Sequence, residues 1–435
     1  MSEPQSPDED GTDNSAHYLR TVTEMAERRR VMAQDAIFSE GGVKLVEKGT
    51  RIDARMHDRL VRHKLRGPVD QHLTVEDAVN SAYLQQQAAH LLRASHLPRL
   101  LAQSLGGSAR LVAPLKALSL TPRIAFKLTV MREQLPDLFT HSLEVMLTAQ
   151  YLALASAIPD EDCNRLAAAA LLHDLGVLHM DPVWRDASHK VTGAERRHLV
   201  AHPITAMLVV RDAQVYGPRV EAAILEHHER MDGTGYPRGC AGDAISPLGQ
   251  VLLMAEVVAA FAQKYSDEAF QQLSLVLRLN HRKFPKALTA HVLALLNTTG
   301  ASGSAPATQT QEQLQALVHR LAQAFTQWEQ AKAQDGLPRE PAARAGPMTF
   351  VQERLLILER ALIEAGMQTG ALQHLQGDEV DLSELSFVVR EALWQLTSIV
   401  NGCERRWPAE LRERTDPQAL VVARWCNWVR SIETS

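Results

Sequence analysis

His227-His228-Glu229-Arg230-Met231-Asp232-Gly233-Thr234-Gly235-Tyr236-Pro237 is the stretch that decides how this chain is read. Two adjacent imidazoles lead it, and imidazole is the commonest side-chain metal ligand. Acids follow, then Asp-Gly and Gly-Tyr-Pro. That is turn chemistry, because glycine reaches positive φ and proline fixes φ. The stretch predicts a metal-bearing helix end that runs into a shaped, exposed loop.

Histidine is concentrated around it. Of 18 histidines, eight fall between His141 and His228. A helical sequence gains nothing from this, since histidine is a poor helix former and costly to bury without a partner. Five segments offer ligands: His141, His173-Asp174, His202, His227-His228 and Glu256. The steps from 141 to 173, 173 to 202, 202 to 227 and 228 to 256 are 32, 29, 25 and 28 residues. Each step fits one helix, a connection and part of the next, so a helical bundle can gather one ligand group per helix in its core. Imidazoles and carboxylates without thiolate suit iron, manganese, zinc or nickel and disfavour a structural zinc. Asp174 can bridge two ions. Two ions about 3.5–4 Å apart can activate a water and clamp the oxygens of a phosphodiester. Glu256 lies in the apolar run 251–260, where a carboxylate needs a partner or a metal. His57-Asp58, on a charged helix, is read as surface.

Composition narrows the class. The 435 residues allow about three domains. Apolar and charged shares of 45% and 22% are those of an ordinary globular protein. A net charge of −5 gives no basic field for a nucleic acid polymer or an anionic membrane. The four cysteines are far apart without a CxxC pair, which fits a reducing compartment. The acidic, polar start is no signal peptide, and no run of about 18 apolar residues is present. The expected location is the cytoplasm, with no membrane contact.

The fold class expected is mainly α: a helical bundle with a small N-terminal α+β module and a C-terminal helical region. Residues 1–15 read as a disordered tail. Residues 16–75 read as the α+β module, with a charged helix over 16–34, short strands near 36–38, 43–46 and 48–50, and a helix over 55–65 that aligns Met56, Leu60, Val61 and Leu65. Residues 76–104 read as a helical connector and 105–297 as the histidine-bearing domain, preceded by a helical tract over 108–134. The small-residue segment 298–310 reads as a flexible linker. Residues 311–435 read as a C-terminal helical domain, with Leu314, Leu317, Val318, Leu321, Phe325 and Trp328 on one helix face. Helices are expected there over 350–365, 382–400 and 420–432. A modest core is expected around Trp394, Trp407, Trp425 and Trp428. No catalytic constellation is visible in that region. Dimerisation through its helices, or partner contact, is the default role.

Residues 105–297 resemble the HD-GYP domain, a subgroup of the HD-domain metal-dependent phosphohydrolases. The resemblance rests on His141-Ser142, on Ala170-Leu171-Leu172-His173-Asp174-Leu175-Gly176, on His202-Pro203 and on the run from His227 to Gly239. It implies an HD-type bundle and hydrolysis of cyclic di-GMP or a related cyclic dinucleotide in second-messenger signalling. It implies two or three divalent metals, commonly iron or manganese. The ligands would be His141, His173, Asp174, His202, His227 and His228, with Glu256 where the family usually has Asp. Asp174 and His173 would be the catalytic pair. Gly235, Tyr236, Pro237 and Arg238 would form the substrate loop, which is also available to partners such as GGDEF-type synthases. Asp137 stands where the three-metal type supplies Glu, and it also reads as an ordinary charge at a helix start.

The chain departs from that pattern in several places. Val177 replaces the lysine of HDxGK, so a positive charge beside the scissile phosphate is missing. Gln250 replaces an arginine, Glu256-Val257-Val258-Ala259-Ala260 replaces Asp-Val-Tyr-Asp-Ala, and Tyr265-Ser266-Asp267-Glu268 replaces an arginine-rich segment. The metal cage is nearly whole while the cationic clamp is eroded. The alternative to a phosphodiesterase is therefore a weak or inactive member that binds nucleotide or protein. A third reading, a phosphohydrolase of nucleotide mono- or triphosphates, is disfavoured by the intact GYP loop.

Overall fold

The computed structural model describes residues 15–185, 193–265, 269–297, 311–334, 346–364, 382–413 and 416–433. The expected tail and linker lie almost wholly outside these residues. The chain divides into two compact units, one of residues 1–264 and 285–295, the other of 265–284 and 296–435.

The first unit opens with α1 (Ala16–Arg28), capped by the Ser15 hydroxyl, which accepts the Tyr18 N–H. Two small antiparallel sheets follow. β1 (Val31–Ala33) pairs with β4 (Leu73–Val75), Val31 opposite Val75, and β2 (Ile37–Phe38) pairs with β3 (Lys44–Val46). Two expectations are corrected here. The helix over 16–34 stops at Arg28, because 31–33 find a strand partner more than forty residues later. Local periodicity cannot reveal such a pairing. The helix over 55–65 is only a 3₁₀ turn, Ala54–Met56, and α2 (His57–Val61). Leu60 is buried and Val61 is exposed, while Leu65 lies outside the helix and bridges to Ser39.

Beyond β4 the unit is helical: α3 (Ser81–Ala94), α4 (His96–Ser104), α5 (Ala109–Val112), α6 (Pro114–Ala117), α7 (Pro122–Gln134), α8 (Pro136–Ala155), α9 (Asp160–Leu172), α10 (Gly193–Asp212), α11 (Pro218–Glu226) and α12 (Pro247–Tyr265). Proline at the first position starts α6, α7, α8, α11 and α12, where its missing N–H costs nothing and its φ already fits. That is also why the tract 108–134 is three helices. α8 is the central rod. Its buried face runs almost all round, as expected of a helix enclosed by others. α9 packs on it, and the small side chains Ala167, Ala168, Ala169 and Ala170 are buried round α9, which α11 and α6 also cover.

The second unit is built from α13 (Ala269–Leu279), α15 (Gln311–Gln334), α16 (Pro347–Glu364), α17 (Leu382–Arg406), α18 (Pro408–Glu413) and α19 (Pro417–Glu433), while α14 (Lys286–Asn297) closes the first. Trp328 and Trp425 meet edge to face at 5.7 Å in its core. Trp407 and Trp428 pack partly buried against it. Trp394 is 54% exposed and does not join the core expected for it. No helix among the described residues is long and apolar enough to cross a membrane.

Candidate metal centre

All seven expected ligands converge inside the first unit. His141 lies in the second turn of α8, His173 and Asp174 directly follow α9, His202 lies midway along α10, His227 and His228 directly follow α11, and Glu256 lies midway along α12. They form two groups. One is Asp174, His202, His227 and His228, and the other is His141, His173 and Glu256. Within each group the ligand atoms lie within 4.8 Å of one another. Asp174 faces both: Oδ2 is 3.3 Å from His173 Nε2, and Oδ1 is 3.2 Å from His202 Nε2 and 3.7 Å from His227 Nε2. Glu256 Oε2 is 2.9 Å from His141 Nε2 and 3.3 Å from His173 Nε2. The longer stem of Glu256 therefore still reaches the cluster.

The backbone fixes which imidazole nitrogen is free. His173 Nδ1 donates to Ala170 O at 2.8 Å, His227 Nδ1 to Ile224 O at 2.6 Å and His202 Nδ1 to Leu199 O at 2.6 Å. Carbonyl oxygens only accept, so each Nδ1 carries a proton and each Nε2 points inward as the ligand atom. The first two carbonyls are available because α9 and α11 end there and their last carbonyls have no helical partner. The third is available because Pro203, inside α10, has no N–H to give Leu199 O. The His202-Pro203 pair is thus a device for orienting a ligand in mid-helix.

Several observations show that a cation fits this cage. His202 Nε2 and His227 Nε2 lie 3.2 Å apart. With both protons on Nδ1, two lone pairs face each other, which is unfavourable unless a cation sits between them. The separation suits two imidazoles sharing an ion at about 2.1 Å each. His173 Nε2 is buried beside two carboxylates yet has no hydrogen-bond partner. Electrostatics agree. Burial, then the neighbouring imidazoles, lowers His227 to about 3 and holds His228 well below the ordinary imidazole range. Both are therefore in the neutral, ligating form. Burial opposes charge on Asp174 and Glu256, but the imidazoles around them outweigh it and hold both well below the usual carboxylate range. Burial also opposes charge on His173, where Asp174 and Glu256 prevail and raise it well above its usual value, so its inward Nε2 holds a proton that a bound cation would replace. The pocket is built to attract positive charge.

A cavity of about 760 Å³ opens over the cluster, lined by Asp137, His141, Asp174, His202, His228 and Tyr236 among others. Gln134, Val177 and Gln263 also reach it, and no lysine or arginine lines it among the described residues. Asp137 stands exposed in the first turn of α8, at the cavity but in neither ligand group. Gln250 is tied to the turn before its own helix, donating Nε2–H to Ile245 O at 3.1 Å.

The loop after His228 folds back over the site. Tyr236 stacks on His228 with ring centroids 4.6 Å apart, and its N–H meets His228 O at 3.0 Å. A Cβ on Gly235 would fall 2.3 Å from the Glu229 and Arg230 backbone, so only glycine permits this approach. Tyr236 is the loop residue that lines the cavity, whereas Arg238 is turned to Glu226 at 2.6 Å. Two buried carboxylates that the sequence reading passed over hold this fold-back. Glu229 accepts the Arg238 and Gly239 N–H groups, and Glu226 accepts Arg238, the Ser246 N–H and the Ser246 hydroxyl. Glu229 stood inside the opening stretch, and an acid among turn residues was the available signal.

Residues 122–278, which carry this bundle, match the family model described as "HD domain". The match takes in all seven ligand positions and the loop among them, and the curated relatives are similar over stretches of comparable length. The chain is 30% identical over 156 residues to the 3'3'-cGAMP-specific phosphodiesterase 3 of Vibrio cholerae, covering 36% of this chain and 34% of that one. It is 32% identical over 148 residues to the cyclic di-GMP phosphodiesterase PA4108 of Pseudomonas aeruginosa, covering 33% and 35%. It is 32% identical over 124 residues to the cyclic di-GMP phosphodiesterase response regulator RpfG of Xanthomonas campestris, covering 28% and 32%. The chain thus spans about a third of the length of these relatives.

Proposed function

We propose that this protein is a metal-dependent phosphodiesterase that opens cyclic dinucleotides, cyclic di-GMP or a cGAMP, by water attack. The observation that carries this is the pair of ligand groups sharing Asp174 beneath a cavity whose wall is Tyr236. Iron or manganese, two or three ions, suits the nitrogen and oxygen donors. Bound ions would lower the pKa of a water and neutralise the phosphoryl oxygens.

The chain's own residues do the rest. His173, His202 and His227 are held as Nε2 donors by their backbone carbonyls, so the cage is formed before any ligand arrives. Asp174 ties the two groups. The stacked Tyr236 and His228 form a flat aromatic wall suited to a nucleobase, and Gln134 and Gln263 add amide hydrogen-bonding groups. With no cationic side chain at the cavity among the described residues, phosphate recognition there falls to the ions.

Val177 favours a second reading. It is 6% exposed and lines the cavity, at the position where the HD-GYP pattern HDxGK has lysine. A single lost charge-assisted contact can cost on the order of 10²–10³ in rate. Under this reading the protein binds a cyclic dinucleotide and turns it over slowly or not at all. Incubating manganese- or iron-loaded protein with cyclic di-GMP and 3'3'-cGAMP, and following linear dinucleotide, separates the two. Metal-dependent product supports the phosphodiesterase, whereas tight binding of a cyclic dinucleotide without product supports the binding module. Loaded protein that neither binds nor cleaves any cyclic dinucleotide contradicts both.

A further inference from the structure

A second cluster of buried charge lies away from the cavity, between the N-terminal module and the helical bundle. Asp70, from the 3₁₀ turn Val69–Gln71, is fully buried. It accepts the Tyr18 hydroxyl of α1 at 3.0 Å, Arg123 Nε of α7 at 3.0 Å and Lys127 Nζ of α7 at 2.8 Å. Lys127, also fully buried, lies 3.9 Å over the Tyr18 ring and 3.3 Å from His179 Nε2. His179 in turn stacks on Tyr18 at 4.6 Å. Arg123 reaches on to Asp212 at the end of α10. Two acids and two cations balance, so the cluster is neutral overall.

What the cluster holds is specific. His179 ends the turn Leu175–His179, which begins directly after Asp174. Asp212 ends α10, which carries His202. These two segments are wedged together: a Cβ on Gly176 would fall 2.1 Å from His202 O. With so little slack, a shift of either segment moves a ligand. A burial of this kind is not explained by stability, because buried ion pairs seldom repay their desolvation better than apolar packing.

We infer that the N-terminal module is a control element for the metal centre, setting the positions of Asp174 and His202 through Asp70, Arg123, Lys127 and His179. Tyr18, Asp70 and the two cations are positioning residues that touch neither metal nor substrate. A partner or ligand that displaces α1 or the Val69–Gln71 turn would thereby alter metal affinity at the distant cavity. This inference rests on the metal reading above.

The test is manganese affinity of the full chain by chelator competition, with melting of the metal-free protein measured alongside. His179→Phe keeps the ring on Tyr18 but removes the acceptor for Lys127, and Asp212→Asn releases the α10 end. Each should weaken manganese binding about tenfold, the low end for residues that orient ligands at one remove. His179→Gln, which restores an acceptor, should recover part of the loss. Leu101→Ala, a cavity in α4 away from the cluster, should lower melting without changing affinity. If wild type binds no manganese, the metal reading fails first. If wild type binds and His179→Phe, Asp212→Asn and Tyr18→Phe all match it, or if Leu101→Ala weakens binding equally, the control role is overturned.

Discussion

Replacing Pro203 by alanine should stabilise α10 and weaken the metal site at once. Proline inside a helix removes one hydrogen bond and crowds the preceding turn, at about 3 kcal/mol in an ordinary setting. Here the bond it removes is the one to Leu199 O, the oxygen that His202 Nδ1 uses at 2.6 Å. Alanine brings back the competing N–H. The carbonyl has two lone pairs, so His202 shares it rather than losing it outright. The expected loss is about tenfold in metal affinity, or about 1.4 kcal/mol, the lower limit for removing a ligand's orienting partner. Two measurements check this: melting of the metal-free protein, expected to rise, and chelator competition, expected to show weaker binding. A Pro203→Ala protein that binds metal as tightly as wild type would refute the claim that proline frees the orienting carbonyl.

Other consequences follow from the same geometry. Gly176→Ala should cost about 1–3 kcal/mol of stability by forcing the segment after Asp174 off α10; its metal content should fall too, and wild-type melting would contradict the close approach. Val177→Lys should raise kcat on a cyclic dinucleotide at least tenfold if the missing cation limits the chemistry, and an unchanged kcat in a folded, metal-loaded variant would remove Val177 as the cause of slow turnover. His179 is held well below its usual value by burial and then by Lys127 and Arg123. Its unfolded form takes up a proton near about 6.5 while its folded form does not, so stability is present above that pH and lost as pH falls below it. His179→Phe should therefore lose less unfolding free energy than wild type between about pH 6.5 and 5, by no more than about 1.4 kcal/mol for each pH unit. Equal losses in the two proteins would contradict the depressed proton affinity.

Much of the site could be read from the residues. Ligands separated by one helix and one connection, His227-His228 beside a glycine turn, and a carboxylate in the apolar run of α12 each mark a group that folding must bring inward. The structure gathers all seven. What stayed hidden depends on distant partners. β1 carries three residues with no local strand signature, and it exists because Leu73–Val75 lies beside it. The roles of Glu226 and Glu229 depend on a loop that folds back over them. Arg238 carries a charge suited to phosphate, but its nearest acid, Glu226, takes it first. A proline ordinarily interrupts a helix, yet at Pro203 the missing N–H frees a carbonyl for the preceding histidine and the helix runs on. The Asp70 network could not be foreseen, because its members lie in α1, the Val69–Gln71 turn, α7 and the turn after Asp174.

The most direct check on the account is the metal content of the purified chain. Elemental analysis of protein prepared without oxygen or chelator should find at least two iron or manganese ions per chain, one for each ligand group. Asp174→Asn, which weakens the one side chain facing both groups, should lower that content while the protein still folds. Wild-type protein with less than one transition metal ion per chain after reconstitution, or an Asp174→Asn protein with undiminished content, would contradict the two-metal centre.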